Sequence, residues 1–257
     1  MLEITPVKAF SDNYLWLFRQ SGSSLACVVD PGDASPVLAA LAAQKLELCA
    51  ILLTHHHADH IGGVNELLRH FDVPVYGPES KAIPQVSHPL HEGDTIRVCE
   101  TEFRVLEIPG HTLDHIAYFA QTPGDSQAPI LFCGDTLFAA GCGRIFEGTA
   151  PMMYDSLQKL AALDERTEVY CAHEYTLGNL AFAVSVTPKD EAVNARMKVE
   201  ENKRKQNLPT LPSTIARERE TNPFLRCGQK DFRLSLQGEH REPVALFAEL
   251  RSGKDNF

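Results

Sequence analysis

Apolar and polar positions alternate in two rhythms along this chain. Tyr14-Leu15-Trp16-Leu17-Phe18 and Leu25-Ala26-Cys27-Val28-Val29 are short apolar runs that predict strands, the second ending in the turn Asp30-Pro31-Gly32. Pro36 to Ala43 is an Ala/Leu helix, and Cys49-Ala50-Ile51-Leu52-Leu53 reads as a buried strand. Ile61, Val64, Leu67, Leu68 and Phe71 are spaced for a helix from Ile61 to Phe71. Further strands are expected at Phe103–Leu106, His115–Phe119, Ile130–Cys133 and Val169–Cys171, with a helix starting near Pro151 and capped by Thr149. Strands interrupted by helices define an α/β chain.

The texture changes at Glu174. Strand signals nearly vanish, residues 189–206 are charged and helical in composition, and Asn207-Leu208-Pro209-Thr210-Leu211-Pro212 is a breaker stretch. A last helix spans Pro243 to Arg251 and ends near Gly253. The charge changes sign at the same place. Residues 1–173 carry 10 Lys/Arg against 22 Asp/Glu, whereas residues 174–257 carry 14 against 12. Two domains are therefore expected, 1–173 and 174–257.

A net charge of −10 argues against a nucleic-acid partner. No apolar run approaches the roughly 20 residues of a membrane helix, and the N-terminus lacks the pattern of a signal peptide. The seven cysteines are odd in number and form no Cys-x-x-Cys pair, which fits a reducing cytoplasm. Cys27, Cys49, Cys133 and Cys171 lie in apolar runs and read as small hydrophobes, and Cys142 reads first as a packing or tight-turn residue, with a functional thiol near the site as the alternative.

The candidate chemistry sits at strand ends. Leu53 is followed by Thr54-His55-His56-His57-Ala58-Asp59-His60, four imidazoles and a carboxylate in seven residues. So much titratable surface beside a core strand is costly unless it is used, and these donors suit zinc, iron or manganese. Leu106-Glu107-Ile108-Pro109-Gly110 leads to His111, Leu131-Phe132-Cys133-Gly134 to Asp135, and Val169-Tyr170-Cys171-Ala172 to His173. His55, His57, Asp59, His60, His111, Asp135 and His173 are too many ligands for one tetrahedral ion and suit two. In extended chain His55 and His57 face one side and His56 the other, so His56 is left out of the ligand set. His70, His88, His91 and His240 lack such a setting and read as surface or core histidines.

The motif His55-His56-His57-Ala58-Asp59-His60 resembles that of the metallo-β-lactamase-fold hydrolases. More narrowly, the chain resembles the glyoxalase II, or hydroxyacylglutathione hydrolase, family from end to end. The similarity runs through Val29-Asp30-Pro31-Gly32-Asp33, Pro109-Gly110-His111-Thr112, Cys133-Gly134-Asp135-Thr136-Leu137-Phe138 and Ala140-Gly141-Cys142-Gly143-Arg144. It continues in Cys171-Ala172-His173-Glu174-Tyr175-Thr176, Asn222-Pro223-Phe224-Leu225-Arg226 and Leu250 to Phe257.

The resemblance implies an αββα sandwich followed by a small helical C-terminal domain. It implies two divalent ions, zinc first, with iron or manganese as alternatives. His55, His57 and His111 would hold one ion, Asp59, His60 and His173 the other, and Asp135 would bridge them. Glutathione contacts would come from Arg144, Tyr175, Asn179, Arg251 and Lys254. Many relatives have a Tyr where this chain has Phe146, so that hydroxyl contact is absent.

The implied reaction is hydrolysis of the S-D-lactoylglutathione thioester to D-lactate and glutathione by a hydroxide bridging the two metals. This is the second step of methylglyoxal detoxification, carried out by a cytoplasmic monomer with no nucleic-acid or membrane partner. A glutathione persulfide dioxygenase-like protein, or another hydrolase of the same fold, is the alternative.

Overall fold

In the computed structural model, which describes residues 1–121, 127–236 and 242–257, strand β1 (Leu2–Ala9) pairs antiparallel with β2 (Asn13–Gln20). His240 lies outside the described residues. The first strand escapes the sequence pattern because Pro6 interrupts it; a proline is tolerated there because β1 is an edge strand. The first sheet continues through β3 (Leu25–Val29), helix α1 (Ala34–Gln44) and β4 (Glu47–Leu52). The Asp33 side chain accepts a hydrogen bond from Ser35 N and so caps α1.

The helix expected over 61–71 is instead two, α2 (Ala58–Ile61) and α3 (Val64–His70). The break has a steric cause. A Cβ on Gly63 would stand 2.5 Å from both Ala34 N and Pro31 O, and Gly63 N donates to Pro31 O at 2.9 Å. The chain thus needs two glycines where it lies against the Asp30–Asp33 turn. Strands β5 (Val75–Pro78) and β6 (His88–Leu90) complete the sheet in the order β1-β2-β3-β4-β5-β6.

Strands β7 (Thr95–Val98), β8 (Thr101–Glu107), β9 (Ile116–Ala120) and β10 (Ile130–Gly134) follow one another antiparallel in a second sheet. Aromatic rings pack the two sheets together. Phe18 of β2 stacks on Phe132 of β10 at 5.4 Å and meets Phe103 of β8 at 5.5 Å, with all three rings buried. Each such side chain stabilises by about 2–3 kcal/mol on burial. On the other face of the first sheet, Val37 and Leu41 of α1 and Val64 and Leu67 of α3 share a core with Val28, Ile51 and Leu53.

These elements form one compact unit, Met1–Glu107 with Asp114–Gly134; a second comprises Ile108–Leu113 with Asp135–Phe257. The boundary expected at 173/174 therefore falls within the second unit. After Asp135 that unit continues with the hairpin β11 (Leu137–Phe138) and β12 (Gly141–Cys142). Helix α4 (Ala150–Ala161) follows, with Thr149 as its cap as the sequence predicts, and then β13 (Glu168–Cys171). Next come α5 (Thr176–Val186), α6 (Glu191–Lys205) and β14 (Ser213–Thr214), the last paired with β13. Helices α7 (Ile215–Thr221), α8 (Pro223–Arg226), α9 (Lys230–Ser235) and α10 (Pro243–Asp255) close the chain. The last helix runs through Gly253 rather than ending there, which keeps Arg251 and Lys254 on one helix.

The β11–β12 hairpin is held from several helices. Glu218 of α7, fully buried, accepts from Ala140 N at 2.7 Å and from Arg196 Nη2 at 2.6 Å. Asn222 Nδ2 donates to Gly141 O at 2.9 Å, and Asn179 Nδ2 of α5 to Ala139 O at 3.1 Å. Arg251 Nη1 donates to Cys142 O at 2.7 Å. Backbone groups of a short hairpin would otherwise be buried unpaired, at a cost of about 1–3 kcal/mol each. The helical region therefore fixes the segment that follows Asp135.

Candidate metal centre and adjoining cavity

Strand β4 ends at Leu52, and its continuation delivers His55, His57, Asp59 and His60 to one place in the first unit. One ligand atom from each of His55 and His57 lies within 4.8 Å of the other, and the same holds for His55 with His60 and Asp59 with His60. His55 and His60 are almost wholly buried, at 0% and 1% exposure. Their Nδ1 atoms are tied back. His60 Nδ1 donates to Asp30 Oδ2 at 3.0 Å. The Thr54 hydroxyl donates to that same carboxylate oxygen at 2.7 Å, so its oxygen accepts from His55 Nδ1 at 3.0 Å. Each ring is thereby held in the tautomer that leaves Nε2 with its lone pair, the form that binds metal. His60 Nε2 in turn lies 3.5 Å from Asp59 Oδ2. His56 turns elsewhere and pairs with Asp114 through Nδ1 at 2.9 Å.

Within the second unit, His111, Asp135 and His173 are each less than one-tenth exposed. His111 Nε2 and His173 Nε2 approach the same oxygen, Asp135 Oδ2, at 3.5 and 3.3 Å. His111 Nδ1 donates to Arg144 O at 2.8 Å, which fixes its tautomer as in His60. His173 stacks on Tyr175 with ring centroids 4.6 Å apart and planes 4° from parallel. Gly143 is required beside them. A Cβ there would collide with Asp135 O and stand 3.1 Å from His111 Nδ1.

A cavity of about 550 Å³ opens in the second unit beside His111 and Asp135. His111 and Asp135 line it, and so do all five expected glutathione contacts, Arg144, Tyr175, Asn179, Arg251 and Lys254, together with Phe146. The five are not alike. Arg144 is 62% exposed along its side chain, and Lys254 is half-buried with Nζ donating to Gly178 O at 3.1 Å. Burial, with Arg251 and Arg144 nearby, lowers the Lys254 pKa from its ordinary value. Arg251 is only 5% exposed, and besides Cys142 O it reaches Asp255 Oδ1 at 2.9 Å. Arg251 and Asn179 thus support the wall of the cavity as well as facing it. Phe146 is exposed and meets the His111 ring edge-on at 5.3 Å.

Several residues of this centre escape sequence reasoning. Asp30 looks like a turn residue, yet it takes hydrogen bonds from both His60 and Thr54. His115 looks like part of a strand, yet its buried ring stacks on His55 at 4.5 Å. Glu218, which no sequence pattern singles out, is fully buried where it braces the β11–β12 hairpin. Of the histidines that read as surface or core, His70, His88 and His91 are exposed.

Comparison with known proteins identifies the family and the fold. Residues 13–173 match the metallo-beta-lactamase superfamily, and residues 174–257 match the hydroxyacylglutathione hydrolase C-terminus. ETHE1 from Myxococcus xanthus is similar in structure, with 26% identity, a TM-score of 0.65 and coverage of 99% of this chain and 98% of its own. TTHA1623, solved in a di-iron-bound form, is 27% identical with a TM-score of 0.60 over 86% of this chain and 100% of its own. The molecule is a hydrolase of the metallo-β-lactamase fold, with its sheets flanked by helices and a helical C-terminal region. Two "Hydroxyacylglutathione hydrolase" sequences come closer in sequence than these structures. That of Nitrosomonas europaea is 50% identical over 100% of this chain and 97% of its own, and that of Nitrosomonas eutropha is 51% identical over the whole of both. The chain belongs to the hydroxyacylglutathione hydrolase family of thioester hydrolases.

Proposed function

We propose that this protein hydrolyses S-D-lactoylglutathione and related S-2-hydroxyacylglutathiones to the hydroxy acid and glutathione, with two divalent ions held by the seven ligands named above. The observation that carries the reading is the cavity in which His111 and Asp135 share walls with Arg144, Tyr175 and Lys254. Glutathione bears two carboxylates, and cationic side chains are their natural partners.

The donor set fits metal. All seven are imidazole or carboxylate, and His55, His60 and His111 each have Nδ1 anchored so that Nε2 is the basic nitrogen. In this reading His55, His57 and His111 would hold one ion and Asp59, His60 and His173 the other, with Asp135 serving both. Zinc, iron and manganese all accept these ligands, and zinc is our first assignment. When bound, such a pair supplies an activated water, with its pKa lowered to about 7, and a Lewis acid for the thioester carbonyl. The chain's own residues do the rest. Lys254 and Arg144 orient the glutathione carboxylates, Tyr175 backs His173, and Arg251 and Asn179 keep the Ala139–Gly143 wall in place. The thiolate leaves without an acid, since a thiol has a pKa of about 8.5.

In the same reading residues 1–173 carry the chemistry and residues 174–257 select the substrate, and the protein acts as a cytoplasmic monomer without nucleic-acid or membrane partners. Among the described residues no helix is long and apolar enough to cross a membrane. Turnover of S-D-lactoylglutathione should be compared with that of a lactoyl thioester of a simple thiol and with glutathione persulfide. The reading requires strong preference for the first. Equal turnover of both thioesters, or oxidation of the persulfide, would overturn it.

A further inference from the structure

Five of the seven cysteines are buried, and the two that reach solvent are neighbours. Cys49 and Cys99, fifty residues apart in sequence, bring their Sγ atoms to 3.6 Å. The sequence reading of Cys49 as a small hydrophobe is therefore incomplete. Leu48 and Ala50 of β4 are buried, while Cys49 between them remains partly open.

The setting of Cys99 is unusual. Val98 pairs with Thr101, so Cys99 and Glu100 make a two-residue turn between β7 and β8, with φ of 47° and 60°. Both residues are in the left-handed region, where such hairpins prefer Asn-Gly and each non-glycine residue costs roughly 1–2 kcal/mol. The turn carries the Cys99 sulfur over the first sheet, 3.8 Å from Phe18 O and 3.9 Å from Leu25 O. A residue kept against local preference, with its thiol placed against a second accessible thiol, is a reason to look for chemistry.

We propose that Cys49 and Cys99 are a reversible oxidation site, converted to an intramolecular disulfide by a low-molecular-weight disulfide such as glutathione disulfide. Cys49 is the attacking thiol. Its thiolate attacks one sulfur of glutathione disulfide, forming a Cys49–glutathione mixed disulfide and releasing one glutathione thiolate. Cys99 then loses its proton to solvent and attacks the Cys49 sulfur, which breaks the mixed disulfide and releases the second glutathione. Two protein thiols are oxidised and one glutathione disulfide is reduced to two glutathione molecules.

The roles follow from the surroundings. The carbonyl oxygens of Phe18 and Leu25 beside the Cys99 sulfur, together with burial, disfavour a thiolate there, so Cys49 is the thiol that ionises, with its pKa lowered by the contact with Cys99 while that of Cys99 is raised. Burial pushes Cys142 up to about 11 and Cys171 and Cys227 up to about 12, so these thiols compete poorly. An accessible pair that cycles is also the form in which disulfides occur in a reducing compartment. The site belongs to the sandwich unit and takes no part in the cavity described above. It is therefore independent of the proposed hydrolysis.

The test uses the full-length, metal-loaded protein equilibrated with glutathione disulfide, then alkylated without reduction and mapped by peptide mass. Wild type should yield one cross-linked species joining the peptides of Cys49 and Cys99, two hydrogens lighter than their sum and lost on reduction. Cys99→Ser should stop at one glutathione per chain, on Cys49, and Cys49→Ser should take up glutathione at least tenfold more slowly. Thioester turnover of both reduced variants should match wild type, showing that they fold. Full alkylation of both thiols in oxidised wild type would overturn the proposal. So would glutathione on another cysteine in Cys99→Ser.

Discussion

The Nδ1 of His60 and the Oδ2 of Asp30 lie 3.0 Å apart, and Asp30 holds that position with a left-handed backbone at φ 50°. A non-glycine residue in that region carries strain, and here it directs the carboxylate at His60 and, through Thr54, at His55. Two ligand rings therefore depend on one carboxylate that binds no metal itself in the proposed centre.

Asp30→Ala should weaken metal retention by about 10–100-fold, the usual effect of removing a carboxylate behind a ligating histidine. Competition with a graded chelator, followed by elemental analysis, measures this directly. Retention equal to wild type in a variant of unchanged circular dichroism would show that Thr54 and packing suffice to hold the rings.

Asp135 receives two imidazoles on one oxygen, so Asp135→Ala should lose metal and kcat together rather than raise KM alone. Wild type purified gently should carry close to two metal equivalents per chain, and Asp135→Ala fewer. Gly143→Ala should behave like a weaker Asp135 variant, because the added methyl displaces the Asp135 carbonyl and crowds His111. A Gly143→Ala enzyme with full metal and normal turnover would place Asp135 outside the proposed centre.

How far the sequence reaches depends on whether a feature is local. Tyr14–Phe18, Leu25–Val29 and the Pro36–Ala43 helix carry their signal in adjacent residues, and the structure has them all. The His55–His60 cluster is local in the same way. Asp30 and His115 are not, since each matters only through the distant residue it touches. The 61–71 helix fails because Gly62 and Gly63 answer to the backbone at Pro31 and Ala34 rather than to their own periodicity. Helix α5 hides because Thr176, Asn179, Leu180, Phe182 and Ala183 are buried around much of its circumference, leaving no clear polar face. Arg251 looks like a helix-end cation, and only the fold reveals that it anchors Cys142.

Glu218 and Arg196 form a fully buried ion pair that braces the β11–β12 hairpin. Glu218→Gln keeps the shape but leaves the Arg196 charge without its partner, which typically costs about 3–5 kcal/mol. For a chain of this size the melting temperature should fall by roughly 10 °C. A thermal melt checks the first effect. Kinetics at a temperature where the variant is folded should show KM raised, since the hairpin forms part of the cavity wall. A Tm within 1–2 °C of wild type, below the shift expected for about 1 kcal/mol, would mean that the other hydrogen bonds to the hairpin suffice.

Lys254 and Arg251 sit three residues apart on α10 but should fail differently. Lys254→Ala removes an ammonium that faces the cavity and should raise KM for S-D-lactoylglutathione about tenfold, with kcat, metal content and Tm little changed. Arg251→Ala also removes the donor to Cys142 O, so KM should rise while Tm falls. The pH dependence separates them further. Because the folded Lys254 pKa is lowered, its charge is lost at a lower pH than an ordinary lysine's, and KM should begin to climb in that alkaline range. A bound carboxylate reverses the shift, so binding there takes up protons. The sign for stability is opposite. The unfolded chain binds more protons at this site between the two pKa values, so this lysine's contribution to stability rises with pH across that window. Lys254→Arg keeps its charge throughout and should flatten the alkaline rise in KM. A KM profile identical in wild type, Lys254→Arg and Lys254→Ala would remove Lys254 from the substrate site.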